Sequence, residues 1–151
     1  MRIRIEVRGT PAPMGSKKFV GLSKKGKGLL VESSKAVKPW REAVKWAAIE
    51  AGSRDARERF ILGPVIASMV FTVRKPSSAP KRRKTYPSTK PDLSKLLRST
   101  EDALTDAGVW EDDARVVGYT KLLKVYPCEH PDALDTPGCV IEVWSIDEEK
   151  S

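Results

Sequence analysis

The segment GPVIASMVFTVRK, which starts at Gly63, constrains the fold more than any other part of the chain. From Val65 to Val73 every second residue is apolar, so a β-strand would carry these five residues on one face. Such a face needs a second layer of secondary structure to cover it. The residues on this face are Val65, Ala67, Met69, Phe71 and Val73.

The same kind of patterning predicts further strands and two helices. Residues 2–8 alternate aliphatic and charged side chains, as a half-buried strand does. A first helix is predicted to have Pro39 at its start and to end at Gly52, and a second helix is predicted between Pro91 and Gly108. The stretches ARVVGYTKLLKVY and CVIEVWSI predict two final strands.

The first helix has an apolar face at helical spacing, which predicts that it packs against the sheet. We expect Trp40 and Trp46 to be packing residues rather than platforms on which bases stack. The other residues of the face are Ala43, Val44, Ala47, Ala48 and Ala51.

These elements predict one α/β (α+β) domain over residues 1–151, in which two main helices pack on a small mixed β-sheet. A chain of 151 residues suits a single domain that buries its own core. Two Lys-rich stretches, about 10–38 and 76–90, are expected to be mobile basic loops, with a candidate short strand at Gly28–Val31. Residues 147–151 form an acidic tail.

The charge is unevenly distributed along the chain. Its net value is +8, with 22 Lys and Arg against 6 Asp and Glu in residues 1–90 and 6 against 14 in residues 91–151. The acidic tail accounts for part of the second figure. A basic surface favours a polyanionic partner, either nucleic acid or an anionic membrane surface. A basic protein without such a partner stays an alternative.

Other functional classes find little support in the sequence. No stretch approaches 18 apolar residues, so we expect no membrane span, and the N-terminus MRIRIEVRG lacks the apolar region of a secretory signal. In a chain that is not exported, Cys128 and Cys139 are expected to be reduced.

Three aspartates are candidates for a metal site. Asp92 lies at a predicted helix start, and Asp112 and Asp113 follow a turn and precede a strand. Mg²⁺ prefers oxygen ligands and keeps several waters, so two or three converging carboxylates suffice to bind it. An N-cap role for Asp92 and turn chemistry for the other two are the alternatives. The cationic run Lys81–Lys84 just before Asp92 favours a site for phosphate.

The second helix carries a polar stripe that includes Ser94 and Arg98. Glu101 shares this stripe, and Asp102 lies about 80° round the helix from Ser94. Arg98 is four residues from both Ser94 and Asp102. It would either pair with Asp102 or contact a phosphate and stabilise developing charge.

The stretch from Asp92 to Val117 resembles the RusA family of Holliday-junction resolvases, small endonucleases of bacteria and phages. The pattern of that family is roughly D-x-D-N-L-x-K, then D-A-L, a turn containing Gly, an aromatic residue and D-D-x-x-V-V. The corresponding residues here are Asp92-Leu93-Ser94-Lys95-Leu96-Leu97-Arg98, Asp102-Ala103-Leu104, Gly108, Trp110 and Asp112-Asp113-Ala114-Arg115-Val116-Val117.

This resemblance implies a cytoplasmic homodimer, of bacterial or phage origin, that binds four-way DNA junctions and cuts them with Mg²⁺, for which Mn²⁺ could substitute. Asp92 and Asp113 match catalytic aspartates of the family, Asp112 is their neighbour at the metal, and Arg98 matches an active-site lysine. Ser94 matches the second aspartate of D-x-D. The residues expected to contact DNA are Lys17, Lys18, Lys81, Arg82, Arg83, Lys84, Lys90 and Lys95.

Ser94 is the serious departure from the pattern, because a hydroxyl brings no charge to a metal. Three explanations stay open. The chain is an inactivated variant, or a natural member in which Asp102 or Asp112 covers the loss, or a protein that binds junctions without cutting them. We favour the first, because the rest of the motif is intact. A basic RNA-binding or ribosome-associated domain is a more distant alternative that leaves the acidic residues unexplained.

Overall fold

The computed structural model describes residues 2–15, 17–22, 28–32, 35–52 and 61–147, with 17–22 and 28–32 in backbone only. These residues form a four-stranded sheet, a two-stranded ribbon and two helices. The bounds of the elements are β1 Ile3–Arg8, β2 Lys17–Leu22, β3 Gly28–Glu32, α1 Val37–Gly52, β4 Val65–Thr72, α2 Leu93–Asp106, β5 Val116–Val125 and β6 Gly138–Ser145. A short 3-10 turn, Asp113–Arg115, precedes β5.

The order of the strands in the sheet is β1-β6-β4-β5. β6 lies antiparallel to both β1 and β4, whereas β4 and β5 are parallel. A parallel pair of neighbouring strands needs a crossover, and here the chain crosses through the loop after β4 and through α2. The predicted mixed sheet with two main helices is therefore confirmed.

The core lies between the helices and one face of the sheet. All five apolar residues of the predicted face of β4 are buried, and α1 packs against both β1 and α2. Trp40 of α1 is 2% exposed and donates its indole N–H to the Thr100 hydroxyl of α2 at 3.1 Å. This buried hydrogen bond fixes α2, and with it the candidate site, against the rest of the domain.

Gly108 ends α2 in the way the sequence predicts. Its φ of +81° is a left-handed conformation that glycine adopts without a steric penalty. The Gly108 N–H bonds to the Thr105 carbonyl at 3.0 Å and the Val109 N–H to the Leu104 carbonyl at 3.1 Å. These two bonds are those of a Schellman motif, which turns the chain towards the aspartates before β5.

Two expectations about the first half of the chain are wrong in part. The strand near Gly28 is confirmed as β3, but its antiparallel partner β2 lies where we expected only loop. Trp46 does not pack in the core, because it is 61% exposed and donates to Glu42 Oε2 at 3.2 Å. Trp46 sits two residues beyond the buried Val44, so it falls on the outer side of α1.

Among the residues that the structure describes, no helix has the length and apolar character that crossing a membrane requires. Cys128 is exposed and Cys139 is buried, and both thiols are free. Of the acidic tail the structure describes only Asp147.

Candidate active site

Asp92 occupies the N-cap position of α2 but does not act as a side-chain cap. Its backbone is extended, and its carbonyl accepts the first helical hydrogen bonds, from Lys95 and Leu96. The carboxylate is half exposed and lies 3.9 Å from the Lys95 ammonium. Because the side chain is not used to hold the helix, it is available to a ligand. The N-cap alternative accounts for the backbone of Asp92 but not for its carboxylate, whose contact with Lys95 is exposed.

Lys124 of β5 holds the segment that leads into Asp92. Its ammonium donates to the carbonyls of Thr89 at 2.6 Å and Pro91 at 2.7 Å. Partial burial lowers the pKa of Lys124, while the nearby Asp92 carboxylate raises it. A lysine in the apolar run KLLKVY was the only signal in the sequence, and we did not assign it a role.

The two adjacent aspartates lie at the far end of α2, at the 3-10 turn. Asp112 Oδ1 accepts from the Ala114 N–H at 3.0 Å, so turn chemistry does explain part of its presence. This bond lowers the pKa of Asp112, as does its hydrogen bond with Asp113. The same contact between the two carboxyl groups raises the pKa of Asp113, which is therefore the more readily protonated of the pair.

Two further carboxylates, Glu101 and Asp102, stand beside this pair. Glu101 accepts a short hydrogen bond of 2.5 Å from the Tyr119 hydroxyl. Burial raises the pKa of Glu101, and the charges of Asp113 and Asp102 raise it further. We call Glu101, Asp102, Asp112 and Asp113 the acidic corner. Glu101 and Tyr119 lie 18 positions apart and were missed, because no local pattern in the sequence brings them together.

Asp92 and the acidic corner are separated along α2. Asp102 is ten positions beyond Asp92, which corresponds to a rise of about 15 Å. Across the described side chains, no three carboxylates, histidines or cysteines form a group that could hold a metal ion. Asp92, Asp112 and Asp113 thus do not form one cluster, and their roles as metal ligands stay a prediction.

The chemistry of the oxygen ligands nevertheless fits Mg²⁺ at Asp92 and, separately, at the Asp112–Asp113 pair. This ion is commonly held by one or two carboxylates together with waters and substrate phosphates, rather than by a complete protein cage. Asp112 and Asp113 offer two carboxylates whose mutual repulsion a cation would relieve. Asp92 offers one exposed carboxylate beside the basic loop, residues 76–90.

Arg98 and Ser94 are both exposed on α2. Arg98 forms no ion pair within 4.0 Å with any side chain in the described part of the chain, so the expected alternative of a pair with Asp102 is not formed. Asp102 is eight residues beyond Ser94, a rise of about 12 Å along the helix. It stands in the field of Asp113 rather than next to Ser94.

The basic loop lies on the Asp92 side of the site. Its cations Lys81, Arg82, Arg83, Lys84 and Lys90 are all exposed. The loop is irregular but is joined to the turn after β5 through Lys75 and Glu129, whose charged atoms lie 2.5 Å apart. For Lys17 and Lys18 the structure describes the backbone in β2 but not the side chains, so their contacts with DNA stay a prediction.

The fold and the site together define a small basic α+β domain in which exposed carboxylates stand next to a cationic loop, an arrangement typical of enzymes that act on nucleic acid. The chain belongs to the endodeoxyribonuclease RusA family, since the model of that family matches residues 9–142. The resemblance of residues 92–117 lies inside this range, and the predicted family is confirmed. A search of curated proteins finds no match to the chain.

Proposed function

We propose that this protein is a divalent-metal-dependent endodeoxyribonuclease that binds four-way DNA junctions as a homodimer and cuts them in the bacterial cytoplasm. The observation that carries the proposal is the state of Asp92. Its carboxylate sits at a helix start without capping it, next to Lys124 and directly after a loop of exposed cations. A capping aspartate would be explained by stability alone, whereas this one is not.

Phosphodiester cleavage needs an activated water and neutralisation of the charge that develops on the phosphate. A bound Mg²⁺ ion would supply both, held by Asp92 or by Asp112 and Asp113. Arg98, which has no ion-pair partner among the described side chains, is free to bind a phosphate oxygen. Asp113 has the raised pKa of the aspartate pair, so it is the member that would more readily accept a proton.

Binding would be governed by DNA shape and phosphate contacts rather than by base sequence. The exposed cations Lys81, Arg82, Arg83, Lys84, Lys90 and Lys95 supply the attraction. A four-way junction has two related strands to cut, which calls for two active sites and favours a two-fold dimer. Two protomers would also present two basic loops to one junction.

Ser94 is the residue on which the choice between two candidate functions depends, cleavage of junctions or binding without cleavage. Its exposed hydroxyl stands two residues after Asp92, at the position where the family pattern has a carboxylate. This observation favours a second candidate function, in which the chain binds junctions without cutting them. In both candidate functions the protein recognises branched DNA. An experiment that compares the wild type with one variant therefore separates the two functions.

The experiment incubates the protein and its Ser94→Asp variant with labelled four-way junctions and with linear duplex, with and without Mg²⁺. We expect both proteins to prefer the junction and Ser94→Asp to cleave it faster in the presence of the metal. A Ser94→Asn variant is the matched control, because it has nearly the same size without the charge. The nuclease proposal fails if Ser94→Asp binds junctions well and leaves them intact. The proposed substrate is wrong if neither protein distinguishes junction from duplex.

A further inference from the structure

A partly buried ion pair ties the basic loop to the turn that follows β5. Lys75 Nζ lies 2.5 Å from Glu129 Oε2, and the two side chains are 17% and 16% exposed. The second carboxylate oxygen, Oε1, accepts from the Thr85 N–H at 3.0 Å. Lys75 also donates to the Arg83 carbonyl at 3.2 Å. One carboxylate and its lysine therefore hold the backbone at the end of the cationic run Lys81–Lys84, at Arg83 and at Thr85.

The residues around this pair make further contacts. The Lys75 ammonium lies 5.6 Å from the ring centroid of Tyr126, which is 5% exposed. In the loop, the Tyr86 ring meets the His130 ring edge to face, with 6.4 Å between the centroids. The hydrogen bond from Lys75 is the main reason that the pKa of Glu129 is held below its usual range. Glu129 thus stays ionised and holds the loop at neutral pH.

A carboxylate at this place is costly for a surface that attracts DNA. It stands within the field of Lys84 and opposes the attraction of the loop for phosphates. A purely electrostatic surface would bind DNA better without it. The compensation is order: four adjacent cations repel one another, and a loop that is fixed before binding loses less conformational entropy when it meets its partner.

We propose that Glu129, acting through Lys75 and the Thr85 N–H, is a positioning residue that fixes the basic loop for the phosphates of branched DNA. The inference rests on the proposed function, because it takes the loop to be a DNA-binding surface. It goes beyond that function in assigning a role to a residue outside the family motif. It also predicts an effect whose sign is opposite to that of simple electrostatics.

The first test is the Glu129→Gln variant, which raises the formal net charge from +8 by one unit. Simple electrostatics predicts tighter binding to DNA. We expect instead that the Kd for a synthetic immobile four-way junction rises about three- to tenfold and that the salt slope falls by about one, as when one phosphate contact is lost. Asp135→Asn is the matched control, since it makes the same charge change at an exposed ion pair with Arg8.

A charge-neutral test uses Lys75→Met combined with Glu129→Gln, which leaves the net charge at the wild-type value. We expect this double variant to bind the junction more weakly by a similar factor. Glu129→Asp, which keeps the charge and shortens the side chain, should also weaken binding and serves if the double variant does not fold. Thr85→Val should bind as the wild type does, because the Thr85 hydroxyl is unpartnered and only its N–H is used.

Hydrogen exchange of the Thr85 amide reports on the loop without DNA and should be faster in every weakened variant. Wild-type affinity in both the double variant and Glu129→Asp overturns the positioning role, and so does unchanged exchange at Thr85. The proposed function fails in a different way, if the wild-type protein does not prefer the junction to linear duplex. Fast exchange in Glu129→Gln would still support the anchoring of the loop in that case.

Discussion

Replacing Lys124 with methionine should loosen the chain segment that leads into Asp92. The Lys124 ammonium makes two hydrogen bonds to backbone carbonyls, those of Thr89 and Pro91. Methionine keeps most of the aliphatic stem and removes both donors. The carbonyls would be left without this partner, and the residue before Asp92 would lose its attachment to β5.

The expected loss in the free energy of unfolding follows from these contacts. A hydrogen bond that involves a charged group contributes about 1.5–3 kcal/mol. The bond to Thr89 is exposed to water, and burying part of the ammonium has a cost that its lowered pKa records. We therefore expect a net loss of about 2 kcal/mol in the free energy of unfolding. For a chain of this size, that corresponds to a fall in Tm of about 4–8 °C.

The effect on activity should exceed the effect on binding. Displacing a catalytic group by an ångström lowers rates by up to about 10²-fold. In the Ser94→Asp background, we expect Lys124→Met to lower the single-turnover rate of junction cleavage at least tenfold, with a change of less than about threefold in the Kd for the junction. Urea unfolding, single-turnover cleavage and fluorescence anisotropy measure the three quantities.

The matched control is Lys121→Met, three residues earlier on β5. Lys121 is exposed and pairs with Asp132, away from α2. The loss of an exposed ion pair changes stability by about 0–1 kcal/mol. Equal stability and equal cleavage rates for Lys124→Met and Lys121→Met would refute the reasoning, because both variants lose one positive charge from the same strand.

Three further predictions concern other parts of the molecule. Replacing the four cations of Lys81–Lys84 with glutamine should weaken DNA binding and make the affinity less dependent on salt concentration. Titrations between about 50 and about 200 mM salt measure this dependence. An unchanged dependence would mean that the run does not contact phosphates. Glu101→Gln keeps the acceptor for Tyr119 and removes a charge whose pKa is raised by burial, from an ordinary value of 4.5. The folded state binds the proton of Glu101 more tightly than the unfolded state does, so the stability of the wild type falls as the pH rises through the raised pKa. The variant should therefore be more stable than the wild type at pH 7 but not at pH 4. Urea unfolding midpoints at the two pH values measure the difference. Gly138→Ala should destabilise the protein by about 3 kcal/mol, because the new Cβ would stand 2.1 Å from the Val7 carbonyl oxygen, and thermal unfolding would reveal the loss.

Local patterns were sufficient for most of the fold. The period of two in residues 65–73 and the stop at Gly108 depend on interactions within a few residues, and the structure has β4 and the end of α2 where they were predicted. The strand β2 was missed because its Lys- and Gly-containing sequence lacks an apolar alternation. Trp46 was misassigned because a large apolar side chain next to a buried face does not by itself point inwards.

The sequence by itself determined the class of the protein: a basic α+β domain with carboxylates at a helix start and a strand start, and a motif of the RusA family. Only the tertiary structure decided how these groups are related in space. It left Asp92, Asp112 and Asp113 without a common cluster among the described residues, and it brought Lys124 to Asp92 and Glu129 to the basic loop. The physical reason is distance along the chain. Helix starts and turns are set by neighbouring residues. Lys75 and Glu129 are 54 positions apart, and they meet only because β4 and β5, which precede them, are parallel and end at the same edge of the sheet.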